Sequence, residues 1–420
     1  MKKFLMMWLL WGVIVVGMAP QVKAGELDIL LNKLVDKGVL SPVEATIIRD
    51  ETSRAVSSEL STGRSYAVPS WVQNLNLKQD LRLRYQYERK RNDTDARSRG
   101  RIRYRLGLDS KIVDKVKIGV GMATGGNSSN AGDPRSTNQT LENAFSKPDV
   151  RLDYAYAEYT HNPDIKAVAG KFKFQDYLWT PTDMLWDSDI TTDGFSTHLQ
   201  QSVFDNVSLF LNGGLWILDE NGKTDQSDPY MGYTQTGLMY ETEKMDAVLA
   251  GVFYGFKGMD DTVLDNSSSS NSLTASGDYE NEYNSFGVST EIGFAQPFGG
   301  LPYAIDERVA LIGDFIHNPD PKDNGTGWAF GAGIGNKKVS DPGSWQLKYL
   351  KVKLGKDAFP DSFPDSDRLG GATDIKGHEV MYNYALKKNV ILGLDYYNTQ
   401  RIVAAKNAEH LLQADVLFKF

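Results

Sequence analysis

The chain has 420 residues, a net charge of −8 and no cysteine, which excludes disulfides, a lipid-modified cysteine and thiolate metal sites. Its mean hydropathy of −0.39 is that of a soluble protein, but barrel strands that alternate apolar and polar residues give the same average. The 20 Tyr and 18 Phe are a better clue, because amphipathic rings suit the two membrane–water interfaces.

Residues 1–24 read as a secretory signal peptide. Lys2 and Lys3 precede an apolar run from Phe4 to Met18, and Val22-Lys23-Ala24 ends in a small-residue cleavage pattern. Beyond Ala24 no stretch approaches the roughly 18–20 apolar residues that a transmembrane helix needs. The mature chain is therefore either soluble and secreted or a β-barrel. Residues 25–62 read as a helical hairpin. Leu27, Leu30, Leu31, Leu34 and Val35 recur at helical spacing until Gly38, and Ser41-Pro42-Val43-Glu44 restarts the helix with a capping box. The second helix is expected to reach about Leu60, and residues 63–74 form a linker.

From Leu75 the period changes to two, as in Leu81-Arg82-Leu83-Arg84-Tyr85 and Arg101-Ile102-Arg103-Tyr104-Arg105. The first eight strands are expected near 75–90, 98–110, 114–124, 150–161, 165–175, 194–204, 206–217 and 229–241. The second eight fall near 244–256, 281–296, 301–317, 325–337, 343–355, 376–386, 389–401 and 408–420. Long connections (122–149, 175–193, 218–228, 257–280 and 356–375) alternate with tight ones, as external loops and periplasmic turns do in an outer-membrane barrel. The fold expected is all-β: a transmembrane antiparallel barrel of about sixteen strands over 75–420, with a short periplasmic helical segment before it. Two identical tetrapeptides, His161-Asn162-Pro163-Asp164 and His317-Asn318-Pro319-Asp320, fall on opposite sides in this topology. Either that is chance or a strand is miscounted.

In the final strand His410, Leu412, Ala414, Val416, Phe418 and Phe420 share one face, and Gln413, Asp415 and Lys419 the other. Lipid demands such an apolar face, and the strand must pair with the first to leave no backbone groups bare. Phe418 and Phe420 here resemble the aromatic ending of outer-membrane proteins in general, which the barrel-assembly machinery reads.

Two segments are similar to the putative-porin family of Gram-negative envelopes. One is Leu27-Asp28-Ile29-Leu30-Leu31-Asn32-Lys33-Leu34-Val35-Asp36-Lys37-Gly38-Val39-Leu40, followed by Glu44-Ala45. The other is Gly170-Lys171-Phe172, continued by Thr182-Asp183-Met184-Leu185-Trp186-Asp187-Ser188-Asp189 and Asp193-Gly194. The N-terminal piece is shared with phosphate-selective porins. The resemblance implies a sixteen-strand channel in the outer membrane, integral among lipid and lipopolysaccharide, and names no solute.

Nine of the seventeen arginines fall between positions 82 and 105. Alternation sets Arg82, Arg84 and Lys90 on one strand, and Arg101, Arg103 and Arg105 on the next, opposite the apolar residues. Arginine on a lipid face at mid-membrane is costly, so these side chains should enter the lumen. Lys115 and Lys117, then Lys171 and Lys173, continue this basic ladder. The third external connection, 175–193, carries Asp176, Asp183, Asp187, Asp189 and Asp193 with Trp179 and Trp186. Two tryptophans favour burial, so the loop is expected to fold inward and narrow the pore, as the third loop of general porins does.

These features describe a porin for passive diffusion of small hydrophilic solutes and ions. A selective channel of the anion or phosphate type is the alternative. A barrel enzyme is a weaker one, because the five histidines (161, 198, 317, 378 and 410) form no metal pair and no Gly-x-Ser-x-Gly elbow occurs. No feature calls for a metal, a cofactor or nucleic acid, and the sequence leaves monomer or homotrimer open. The Asn266-Ser267-Ser268-Ser269-Ser270 tract reads as a surface-exposed loop.

Overall fold

The computed structural model describes residues 26–52, 54, 70–90, 96–125, 135–145, 147–222, 227–259, 262–297, 308–404 and 408–420. The signal peptide, the end of the second helix and residues 301–307 of the expected eleventh strand lie outside them. The chain divides into two compact units, Met1–Gln73 and Asn74–Phe420.

In the first unit α1 (Glu26–Asp36) ends in a Schellman-type turn. Gly38, at φ 71°, donates to the Val35 carbonyl, and the Val39 N–H reaches the Leu34 carbonyl. The capping box forms as the spacing requires. The Ser41 backbone N–H donates to a Glu44 carboxylate oxygen at 2.8 Å, and the Glu44 N–H donates back to Ser41 Oγ at 3.2 Å. Residues 42–52 are helical behind it.

Among the described residues of the second unit, seventeen strands join one closed antiparallel sheet. They are β1 (Asn76–Lys90), β2 (Arg97–Val113), β3 (Val116–Thr124), β4 (Gln139–Thr140), β5 (Val150–Asn162), β6 (Ile165–Lys173), β7 (Thr191–Phe204), β8 (Val207–Ile217) and β9 (Tyr230–Glu241). There follow β10 (Met245–Lys257), β11 (Ser285–Ala295), β12 (Arg308–His317), β13 (Thr326–Gly335), β14 (Trp345–Leu354), β15 (Ile375–Lys387), β16 (Val390–Arg401) and β17 (Ala408–Lys419). The two-residue β4 belongs to a loop, so the barrel has sixteen staves, and β1 pairs with β17 to close it. Gln79 and Phe420 exchange both backbone hydrogen bonds at this seam.

Burial is inverted relative to a soluble protein. On β1, Leu83 and Tyr85 are 46% and 45% exposed while Arg84 between them is 5% exposed. Strand alternation thus sends apolar side chains outward, where lipid replaces water, and polar ones inward. The tight turns 114–115, 205–206 and 388–389 place Lys115, Asn206 and Asn389 at φ 65–68°, and a register shift adjoins each turn. All are at one end of the barrel. At the other end are the long loops: L2 (125–149), L3 (174–190), L4 (218–229), L5 (258–284), L6 (318–325) and L7 (355–374).

The repeated tetrapeptide does lie at opposite ends, and no strand is miscounted. Asn162 accepts the Asp164 N–H at 3.0 Å and Asn318 accepts the Asp320 N–H at 3.3 Å. Both copies form the same Asx turn, which ends a strand wherever it occurs.

The candidate pore and its loops

L3 begins with a 3-10 turn, Phe174–Asp176, and crosses the barrel. The Gln235 side chain on β9 clamps the Trp179 backbone, accepting its N–H at 2.9 Å and donating to its carbonyl at 2.7 Å. Lys348 Nζ on β14 donates to the Pro181 carbonyl at 3.1 Å, and Thr182 Oγ1 donates to Asp314 on β12 at 2.8 Å. β6 and β14 are eight staves apart in either direction around the ring. A loop rooted on β6 that touches Lys348, on the half of β14 nearer the tight turns, must pass through the interior. L3 then returns, and Asp189 meets β2.

Apolar burial holds it there. Trp186 is 1% exposed. Its ring packs against Phe174, Trp216, Tyr254, Phe359 and Phe363 with centroids 4.8–6.0 Å away, and its indole N–H donates to the Tyr254 hydroxyl at 3.2 Å. The cluster around it joins L3, L5 and L7 to the inner face of the wall from β6 to β14. Around L3 that half of the interior is an apolar core, and nearer the tight turns it is polar, where Arg308 pairs with Asp246 and Glu291.

L5 and L7 are tied by a buried carboxylate that sequence reading missed. Asp361 of L7 accepts from the hydroxyls of Ser267, Ser268 and Ser270, the N–H groups of Ser270 and Asn271, and the Tyr279 hydroxyl, at 2.6–3.2 Å. The serine tract expected at the surface is therefore partly buried: Ser270 and Asn271 are 6% and 3% exposed. A carboxylate taken from water needs every lone pair satisfied, and serines supply short, adaptable donors. Arg135 of L2 locks on from the other side, donating to the carbonyls of Asp361, Gly370 and Gly371 at 3.1–3.2 Å.

The opposite half of the interior, from β15 through β17 and β1 to β5, is polar. The Arg84 guanidinium forms a bidentate pair with Asp415 at 2.8 Å and reaches Asp367 of L7 at 3.5 Å. Arg82 donates to Asn138 of L2 at 2.7 Å and Arg101 to Gln86, Ser136 and the Asn138 carbonyl at 3.0–3.3 Å. Arg103 and Arg105 share Asp80, at 3.0 and 2.7 Å, and both face Asp189 of L3, at 3.9 and 3.1 Å. Thr137 donates twice to the other Asp189 oxygen. Of the five arginines of the ladder, only Arg103 and Arg105 thus meet a carboxylate of L3.

The remaining predicted residues are scattered. Lys117 pairs with Glu158 at 2.7 Å and lies over Tyr156. Lys171 pairs with Asp193 at 2.7 Å, and Asp193 stands on β7, so the loop ends earlier than expected. Lys173 lies over the Tyr154 ring. Asp176 is exposed on the 3-10 turn. Asp183 pairs with Arg368 of L7 at 2.6 Å, within a second cluster containing Asp365 and Glu379. Asp187 is buried, accepting the Ser366 N–H at 2.9 Å. Phe418 stands opposite Leu81 at the seam, and Phe420 is exposed beside it.

Burial alone would raise the Asp189 carboxyl, but Arg105, Arg103 and Arg82 outweigh it and hold it below the ordinary carboxylate range. Asp187 goes the other way, pushed up by burial and then by the charge of Asp189.

In the polar half a hollow of about 290 Å3 lies among Gln86, Arg97, Arg99, Arg101, Asp367 and Glu409, and two further hollows adjoin each other. One of about 430 Å3 opens toward the tight-turn end, lined by Asp80, Arg105, Asp153, Tyr154, Lys173 and Lys419. The other, of about 310 Å3, opens toward the loops, lined by Arg135, Arg151, Asp153, Lys171, Asp189 and Trp186. They share Asp153, and the Arg105–Asp189 pair bridges their two linings. Tyr154 occupies a notch in the wall: a Cβ on Gly121 would stand 2.2 Å from its ring.

A closed sixteen-stave barrel with loops folded inside is the architecture of a porin. The family described as "Putative porin" matches residues 87–289 and 271–420, and the chain belongs to that family. Among solved structures, OprB of Pseudomonas putida at high pH aligns with a TM-score of 0.54 at 9% identity, covering 86% of this chain and 97% of that one. A mutant Rh. blastica porin aligns with a TM-score of 0.45 at 11% identity, over 82% and 100%. OmpT of Vibrio cholerae lacking its loop L8 gives 0.46 at 10%, over 83% and 100%. No curated protein matches the chain. The protein is an integral outer-membrane porin by family, with the barrel fold of OprB.

Proposed function

We propose that the protein conducts small hydrophilic solutes and ions by passive diffusion, along the polar half of the lumen, through a constriction at Asp153 flanked by the ion pairs of Asp189 with Arg103 and Arg105. The observation that carries this reading is the course of L3, which spans from β6 to Lys348 on β14 and leaves two polar hollows meeting at Asp153. Acidic and basic side chains lining these hollows, Asp153 with Arg151, Lys171 and Lys173, set up a local field that orients polar solutes and disfavours apolar ones. The long loops face outward from a Gram-negative cell in this reading, the helical unit is periplasmic, and Phe418 and Phe420 serve the assembly machinery. Purified protein in planar bilayers should give stepwise, ohmic conductance without any added ligand. A folded protein, shown by the mobility shift between unboiled and boiled samples, that is electrically silent contradicts the proposal.

A further inference from the structure

On the outer wall, the apolar surface stops at one register row across five adjacent staves. Tyr349, Val380, Tyr396, Leu412 and Tyr87 stand side by side on β14, β15, β16, β17 and β1. The next row toward the loop end reads Lys351, His378, Asn398, His410 and Arg89, again in direct register. Beyond it stand Lys353, Lys376 and Gln400. The two rows line an outward concavity of about 840 Å3.

The boundary between the bands is built. The Tyr349 and Tyr396 hydroxyls are hydrogen-bonded to the Nδ1 atoms of His378 and His410 at 2.7 and 2.8 Å, and each tyrosine ring stacks on its histidine. Such tyrosines fix the level at which hydrocarbon gives way to headgroups. The cations above them have no acidic counterpart. Neither row contains a carboxylate, and Lys351, Lys353, Lys376 and Arg89 form no ion pair with any described residue. The inner wall is the reverse, since its arginines are matched by aspartates.

The pattern along the row specifies the ligand. Three lysines cluster on β14 and β15, the amides Asn398 and Gln400 occupy β16, and Arg89 stands on β1. Staves about 4.8 Å apart make the row about 19 Å wide. That is wider than a single phosphate headgroup, and it places a neutral hydrogen-bonding centre between two cationic ends. We propose that this face binds a bisphosphorylated glycolipid of the leaflet on the loop side, one phosphate on Lys351 and Lys376, the other on Arg89, with the sugar hydroxyls on Asn398 and Gln400. Lysine suits the first phosphate as a point charge, and arginine suits the second through its fork of donors.

The test uses the whole purified barrel in detergent, mixed with bisphosphorylated lipid A, monophosphoryl lipid A or phosphatidylethanolamine, with retained lipid counted by native mass spectrometry. The parent should retain bisphosphorylated lipid A at least ten-fold better than the other two. Lys351→Gln with Lys376→Gln should abolish that retention, and Arg89→Gln should erase the discrimination between two phosphates and one. Lys387→Gln with Lys388→Gln, at the tight-turn end, should leave that retention unchanged. Equal retention by the Lys351/Lys376 variant, or no preference among the lipids in the parent, overturns the proposal. So does a variant that loses its oligomeric state while keeping its lipid, which would assign the face to a second copy of the chain.

Discussion

Replacing Trp186 with alanine is expected to detach L3 from L7 and raise single-channel conductance. The ring is the hub of the apolar half of the lumen, in contact with aromatic side chains from L3, L7, β8 and β10. Truncating a fully buried tryptophan costs about 3–5 kcal/mol when the site cannot collapse. A barrel wall held by backbone ladders cannot close around the void, so the loss falls on the loop packing. The barrel itself should still assemble, because its strands pair independently of L3. The predicted record is a larger mean current with frequent brief fluctuations. A quiet record at parental conductance would mean that L3 is held by its polar clamps alone, Gln235, Lys348 and Asp314.

The second large effect is electrostatic. Asp189→Asn leaves Arg103 and Arg105 sharing only Asp80, so the reversal potential in a salt gradient should move strongly toward anions. Arg103→Gln with Arg105→Gln should move it toward cations. Breaking one side of a buried ion pair costs about 3–5 kcal/mol, so noisier current should accompany the Asp189 change. The sign with pH follows from the lowered Asp189 carboxyl. Its charge, and the stability it contributes, persist below the ordinary carboxylate range and are lost only as pH falls through its depressed value. The selectivity difference between parent and Asp189→Asn should therefore remain intact at about pH 4. Asp183→Asn should shift selectivity little, because Asp183 is neutralised by Arg368 in a separate cluster. If Asp183→Asn moves the reversal potential more than Asp189→Asn does, the constriction has been placed on the wrong side of L3.

The barrel was legible in the sequence because lipid imposes a strict rule. Each outward position at hydrocarbon depth must be apolar, so Leu83, Tyr85 and Val416 announce their strands one residue at a time. The inward arginines followed by subtraction. Their partners were harder to see. Asp415 stands within reach of Arg84 only because the last strand closes on the first, 331 positions away in sequence. Asp189 was recognisable as an acidic loop residue, but nothing local distinguishes it from Asp183 or Asp187. The three carboxylates part because L3 crosses the barrel, so Asp183 meets Arg368 of L7, Asp187 the Ser366 backbone of L7, and Asp189 the arginines of β2. The serine tract misled for the same reason. Its low complexity is that of a surface loop, and the aspartate it surrounds lies about ninety positions further on.

The most direct test of the account uses the absence of native cysteine. Asp153 lines both adjoining polar hollows and lies at their junction. A single cysteine there, Asp153→Cys, reacted with an anionic methanethiosulfonate during a bilayer recording, should reduce the current in discrete steps, one per channel. The same reagent on Leu350→Cys, buried in the apolar half, should leave the current unchanged. Complete modification of the cysteine at 153 with no change in current would show that solutes do not pass along the polar half, and would contradict the central claim.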